Sequence, residues 1–86
     1  MTTTFDFGNG PVPAHQHPNG GGWVADTATV ADTAYVGRDA QVSGYAFVSD
    51  NAQVYGNAQV YGNARVVGNA LVSDDTIVSD DAWVVE

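Results

Sequence analysis

Valine recurs at every sixth position from residue 24 to residue 84, and this period constrains the fold more than any other feature. A small residue follows each of the first ten valines four positions later, and it is alanine in every case except Thr76. A spacing of six scatters the valines around a helix, so the pattern excludes an α-helix and indicates short β-strands. The valines lie at positions 24, 30, 36, 42, 48, 54, 60, 66, 72, 78 and 84.

The residue pairs between successive valines are rich in glycine, asparagine and aspartate, as in Asp50-Asn51, Gly56-Asn57 and Asp74-Asp75. These residue types tolerate a positive φ, so each pair predicts a turn. Six residues hold one short strand and one turn. A fixed short period of this kind is typical of a solenoid, whose units bury their apolar side only by stacking.

The hexads VADTAT, VGRDAQ, VSDNAQ, VYGNAQ, VYGNAR and VSDDAW resemble the hexapeptide-repeat family over about residues 24 to 86. The resemblance implies an all-β fold, a left-handed parallel β-helix of triangular section with three hexads to a coil and about 3.5 coils. Residues 23–86 are expected to form this β-helix. Residues 1–22 hold all three prolines and both histidines and are expected to form an irregular capping arm. We expect Phe5, Phe7 and Val12 to cover the first coil, and the prolines to keep the arm from adding as a strand.

Eighteen residues per coil would place the valines in three columns, which define three faces of the solenoid. Because side chains alternate across a strand, the residues on either side of each valine point outward and are the candidates for binding. Face 1 holds Val24, Val42, Val60 and Val78; face 2 holds Val30, Val48, Val66 and Val84; face 3 holds Val36, Val54 and Val72.

Face 2 has the most apolar outward surface of the three. Phe47, Arg65 and Trp83 share one outward column, and Val67 and Val85 share the column beside it. Contiguous apolar patches are uncommon on small soluble monomers, so this group predicts a buried interface, with Arg65 making cation–π contacts to the two rings. The family resemblance implies that the partner is the chain itself, in a homotrimer.

A ligand bound between subunits is expected to meet outward polar and aromatic side chains. An anionic ligand would depend on Arg38 and Arg65, which are the two basic residues of the chain. No cofactor is expected. The other predicted ligand contacts are Tyr35, Gln53, Tyr55 and Tyr61.

Charge and composition narrow the range of partners. Ten acidic residues stand against two basic ones, and the net charge of -8 argues against binding to nucleic acid or to an anionic membrane. The chain has no cysteine and its first residues do not resemble a signal peptide, so a cytoplasmic location is expected. The stretch HPNGGGW resembles the arm of short repeat proteins of phages and prophages. This resemblance implies that the protein acts in the cytoplasm of a host cell.

These features favour a non-enzymatic, oligomeric binding or scaffold protein of phage origin that binds or sequesters a host protein or a small ligand. Two alternatives stay open: an acyltransferase-like enzyme with a histidine as general base, as the family resemblance suggests, and an acidic mimic of nucleic acid. His15 and His17 would form only part of a zinc site, because zinc prefers four ligands. Hydrogen bonds that hold the arm in place are the favoured role for both histidines.

Overall fold

The computed structural model describes residues 3–8 and 10–85, and these residues form thirteen strands joined by turns. Within the described residues there is no helix long and apolar enough to cross a membrane. Strands β1 (Thr4–Asp6) and β2 (Pro11–Gln16) precede the repeats. The solenoid strands are β3 (Trp23–Ala25), β4 (Thr29–Val30), β5 (Tyr35–Val36), β6 (Gln41–Val42), β7 (Phe47–Val48), β8 (Gln53–Val54), β9 (Gln59–Val60), β10 (Arg65–Val67), β11 (Leu71–Val72), β12 (Ile77–Val78) and β13 (Trp83–Val85).

Each solenoid strand pairs in parallel with the strand that follows it by eighteen residues, as Val24 pairs with Val42 and Val42 with Val60. Strands β3, β6, β9 and β12 therefore form face 1, strands β4, β7, β10 and β13 form face 2, and strands β5, β8 and β11 form face 3. The predicted all-β solenoid with three valine columns is confirmed. The left-handed sense implied by the resemblance stays a prediction.

The interior of the solenoid is a stack of valine and alanine side chains. Seven of the valines are 0% exposed, and the alanine that follows each of them toward the turn is nearly as well buried. Val30 and Val84 are only partly buried against this core. Both lie on face 2, at its first and last strands, where only one neighbouring strand of the described chain covers them. The seven valines that are 0% exposed are Val24, Val36, Val42, Val48, Val54, Val60 and Val66.

The predicted turn pairs adopt the backbone conformation that their composition indicates. The first residue of the pair has a positive φ at Asp50 (57°), Gly56 (66°) and Asp74 (57°). The same conformation recurs at Gly44, Gly62, Gly68 and Asp80. These residue types reach the left-handed region at little cost, so the chain turns the corner within two residues and the next strand begins in register.

The arm differs from the irregular segment that its composition predicts. Strands β1 and β2 form an antiparallel hairpin, and β2 adds antiparallel to β3, so that the hairpin extends face 1. The prolines do not prevent this pairing because they still supply carbonyl acceptors, as when Asp26 N donates to Pro13 O at 2.9 Å. The residues between and after them donate, as Ala14 N does to Thr3 O. Although β2 lies between β1 and β3, each of its prolines removes only one donor and the strand continues.

The segment from His17 to Gly22 caps face 3, whereas the aromatic residues of the hairpin do not cover the core as expected. Val36 N donates to Asn19 O at 3.1 Å and Gly22 N donates to Val36 O at 2.9 Å. These bonds pair the edge of β5 that faces away from β8. Phe5 stacks instead on Trp23, on the outward side of face 1, with ring centroids 4.8 Å apart. Backbone hydrogen bonds therefore form part of the cap, and they require the segment to lie close to β5.

Gly22→Ala is expected to lower the free energy of unfolding by about 1–3 kcal/mol, the usual cost of overpacking a filled site. A Cβ at residue 22 would lie 2.3 Å from Gly37 O and 2.4 Å from Val36 Cγ1. Gly21→Asn is the control, because nothing lies within 4 Å of a Cβ there and asparagine tolerates its φ of +81°. Thermal unfolding of both variants measures the difference, and equal stability of the two would contradict the described cap.

Candidate functional site

Face 2 carries a ladder of Phe47, Arg65 and Trp83 on three successive strands. Arg65 pairs with Phe47 on one side and with Trp83 on the other, so the three side chains stack in one column. The Cζ atom of Arg65 lies 5.0 Å from the ring centroid of Trp83 and 5.8 Å from that of Phe47. The predicted cation–π contacts are confirmed. The guanidinium is held between two rings on the outward side of the face.

Much of this column and its neighbour is open to solvent. Trp83 is 62% exposed, Val85 61% and Phe47 36%. Val67 is half-buried and pairs in register with Val85. These five residues of face 2 form a continuous apolar surface around one cation, and their role as an interface stays a prediction.

A groove of about 700 Å³ lies between the tip of the β1–β2 hairpin and the outward side of face 1. The hairpin contributes Phe7 and Val12, whereas Tyr61 and the two glutamines on successive strands come from face 1. Tyr45 reaches the groove from the turn after β6. The glutamines are Gln41 and Gln59.

The groove is mostly apolar and carries one ionisable carboxyl group. Asp26 lines it, and among the lining residues that the structure describes none is lysine, arginine or histidine. Nδ1 of His15 lies 2.8 Å from Oδ1 of Asp26, and both side chains are half exposed. The groove is therefore suited to a neutral or cationic ligand and unsuited to an anion, whose charge would meet no basic partner.

The predicted ligand residues fall on different faces of the solenoid. Tyr61 lines the groove on face 1, whereas Tyr35 and Gln53 line a second, smaller cavity of about 320 Å³ on face 3. Tyr55 is half-buried, and its Cβ lies 3.1 Å from where a Cβ would stand on Gly37. Arg38 is exposed at a turn. Within one chain these residues form no single site, and a shared site between subunits stays a prediction.

Sequence reasoning missed most of the groove because it placed no strand before Trp23. The available signal was the alternation in PVPAHQ after the glycines at positions 8 and 10, which is typical of a hairpin. Pro11 and Pro13 lie within this segment, and proline within a run argues against a strand. Phe7 and Val12 were expected to cover the first coil instead, and no part in a small-ligand site was predicted for Asp26, Gln41, Tyr45 and Gln59.

The two histidines hold the arm against the first coil, as predicted. His17 is 3% exposed, and its Nε2 lies 2.9 Å from Ala34 O, so Nε2 carries the proton because a carbonyl only accepts. His15 contacts Asp26 at the first turn. The described part of the chain contains no cluster of three or more His, Asp or Glu side chains placed to bind a metal.

Comparison with protein families gives a match in the later half of the repeats. Residues 58–74 match the model described as the YdcK beta solenoid repeat. The comparisons with curated proteins and with solved structures return no match. The matched segment covers strands β9 to β11, one rung on each face, and the same stacking extends from β3 to β13. The three sheets of stacked parallel strands show that the chain has a β-solenoid fold, and the matched segment is similar to one β-solenoid repeat of the YdcK type.

Proposed function

We propose that this chain is a non-enzymatic β-solenoid scaffold and binding protein that assembles through face 2 into a homotrimer. The observation that supports the proposal is the exposed ladder of Phe47, Arg65 and Trp83, flanked by Val67 and Val85. Burial of this surface around a threefold axis would remove exposed apolar area from water at about 25 cal/mol per Å². The other two faces would then remain free for a partner.

The distribution of charge is compatible with burial of this face. Within residues 23–85 the outward strand positions of face 2 hold no acidic residue, and neither do those of faces 1 and 3, because the acids of the repeats are concentrated at turns. Copies of a chain with a net charge of -8 repel one another, and an interface without carboxylates keeps that repulsion at the periphery, where salt screens it. The guanidinium of Arg65 would lie in the interface together with the rings of Phe47 and Trp83.

The molecular mass in solution tests the proposal directly. Native mass spectrometry and sedimentation at micromolar concentration are expected to give three times the mass of one chain. A purified protein that stays monomeric over the whole accessible range of concentration would contradict the assembly. Mass spectrometry from a lysate would also report a bound host protein or small ligand in the same measurement.

Arg65→Ala is expected to weaken the trimer without unfolding the chain. Each cation–π contact contributes about 0.5–1 kcal/mol and holds its ring in the arrangement that the interface buries, so its loss should raise the dissociation constant of the trimer about two- to fivefold. Arg38→Ala is the matched control, because it removes the other arginine from an exposed turn outside face 2. Sedimentation equilibrium measures both variants, and an equal effect of the two would indicate a general charge effect.

One observation favours the acyltransferase-like alternative. A carboxylate on Nδ1 of a histidine leaves Nε2 free as a general base, and Asp26 contacts Nδ1 of His15 in this way. However, His15 does not line the groove, so the pair as seen joins β2 to the first turn. Protection of the protein against heat by acyl-coenzyme A would support the enzyme, whereas no shift in Tm at millimolar acyl-coenzyme A would oppose it.

A further inference from the structure

We propose that the groove between the β1–β2 hairpin and face 1 binds a small organic cation, an alkylated ammonium group on an apolar body. This site lies on a different face from the interface proposed above, and it does not depend on assembly. The groove combines aromatic rings, a carboxylate and neutral amides, and no basic side chain lines it within residues 3–8 and 10–85.

The size and the lining of the groove fit a small molecule. Its volume of about 700 Å³ falls in the range of known ligand sites, which is roughly 300–1,000 Å³. Phe7 lies in the hairpin, Tyr45 in a turn and Tyr61 directly after strand β9 of face 1. Aromatic rings attract a cation through their negative faces, and a cation with bulky alkyl groups loses little hydration on binding to them.

The charge of the groove selects a cation over a neutral or anionic ligand. Oδ1 of Asp26 contacts His15, whereas Oδ2 has no hydrogen-bond partner among the residues that the structure describes. This oxygen is therefore available to an ammonium group. The net charge of -8 raises the local concentration of cations around the whole chain. An anion would be repelled by the same field.

The walls of the groove are held in place before a ligand arrives. Oδ1 of Asp6 accepts hydrogen bonds from Gly8 N at 2.7 Å and Gly10 N at 3.0 Å, which closes the tip of the hairpin. Phe5 stacks on Trp23 with an angle of 17° between the rings and packs edge-on against Phe7. Preorganised walls reduce the entropy lost on binding, so a small cation can bind without a folding step.

The test is an NMR titration of the full chain with choline, compared with its uncharged analogue in which a carbon replaces the nitrogen. Choline is expected to shift the backbone amides of Gln41, Gln59 and Tyr61, and the analogue should bind at least about tenfold more weakly. Tyr61→Ala should weaken choline binding about five- to tenfold, and Asp26→Asn about fivefold, as for a half-exposed ion pair. Leu71→Ala, at an exposed apolar position on face 3, is the control and should leave the affinity unchanged.

Tyr45→Ala tests whether the other variants weaken binding only because they disturb the structure. Tyr45 is 72% exposed, so its removal leaves the core and the His15–Asp26 pair intact. Its affinity for choline should fall severalfold while its NMR spectrum keeps the dispersion of the folded chain. Equal binding of choline and the uncharged analogue would overturn the proposal. Shifts confined to residues outside the groove, or no shift at tens of millimolar choline, would overturn it as well.

Discussion

Val54→Asp is expected to abolish the folded state. Val54 is 0% exposed at the centre of face 3, and its strand neighbours there are Val36 and Val72. A carboxylate at this position has no partner, and its burial costs several kcal/mol even after the surroundings relax. That cost is comparable with the whole stability of a small domain, about 5–15 kcal/mol. Far-UV circular dichroism and NMR dispersion should report an unfolded chain.

Gln53→Asp is the matched control for this prediction. The two substitutions place the same carboxylate on adjacent residues of one strand, but Gln53 is exposed on the outward side. Its variant should keep the spectrum of the parent chain and should lose less than about 1 kcal/mol of stability. If both variants fold, or both unfold, the alternation of inward valine and outward neighbour that defines the faces is wrong.

The repeat region was largely predictable from the sequence because one period determines several features at once. A strand and a turn in every six residues place the inward side chain, and eighteen residues per coil determine which residues stack. The contact of Arg65 with Phe47 and Trp83 follows from that arithmetic alone. The position of each strand within its hexad is also determined, because a shift of one residue would turn every valine to the surface.

The hairpin and the groove were not predictable in the same way. Composition rich in proline and glycine indicates irregular structure, and the local signal for β2 is short. His15 pairs with Val24, but His15 lies outside the hexapeptide repeats, so the repeat period does not predict this pairing. The groove then forms only where the hairpin meets face 1, and its lining combines Phe7 with Tyr61, which lie far apart in the sequence.

Trp83→Glu is expected to convert the proposed trimer to monomers at micromolar concentration. Trp83 is the most exposed aromatic residue of face 2, and buried tryptophans are the commonest hot spots of interfaces, where their removal costs about 2 kcal/mol or more. A carboxylate in its place adds repulsion between three copies near the axis. Each interface should therefore weaken more than about thirtyfold. Sedimentation velocity of the variant should show one species with the mass of a single chain.

Ile77→Glu separates this effect from a general effect of added charge. Ile77 is 57% exposed in the same coil as Trp83, but it lies on face 1, so its variant should remain trimeric. Trp83→Phe keeps a ring beside Arg65 and should also remain trimeric, with a modest decrease in affinity. Circular dichroism distinguishes dissociation from unfolding, because a monomer with the parent spectrum has separated from its partners while keeping its fold. A trimer that survives Trp83→Glu but dissociates with Ile77→Glu would place the interface on face 1, and the assembly would then compete with the groove for the same surface.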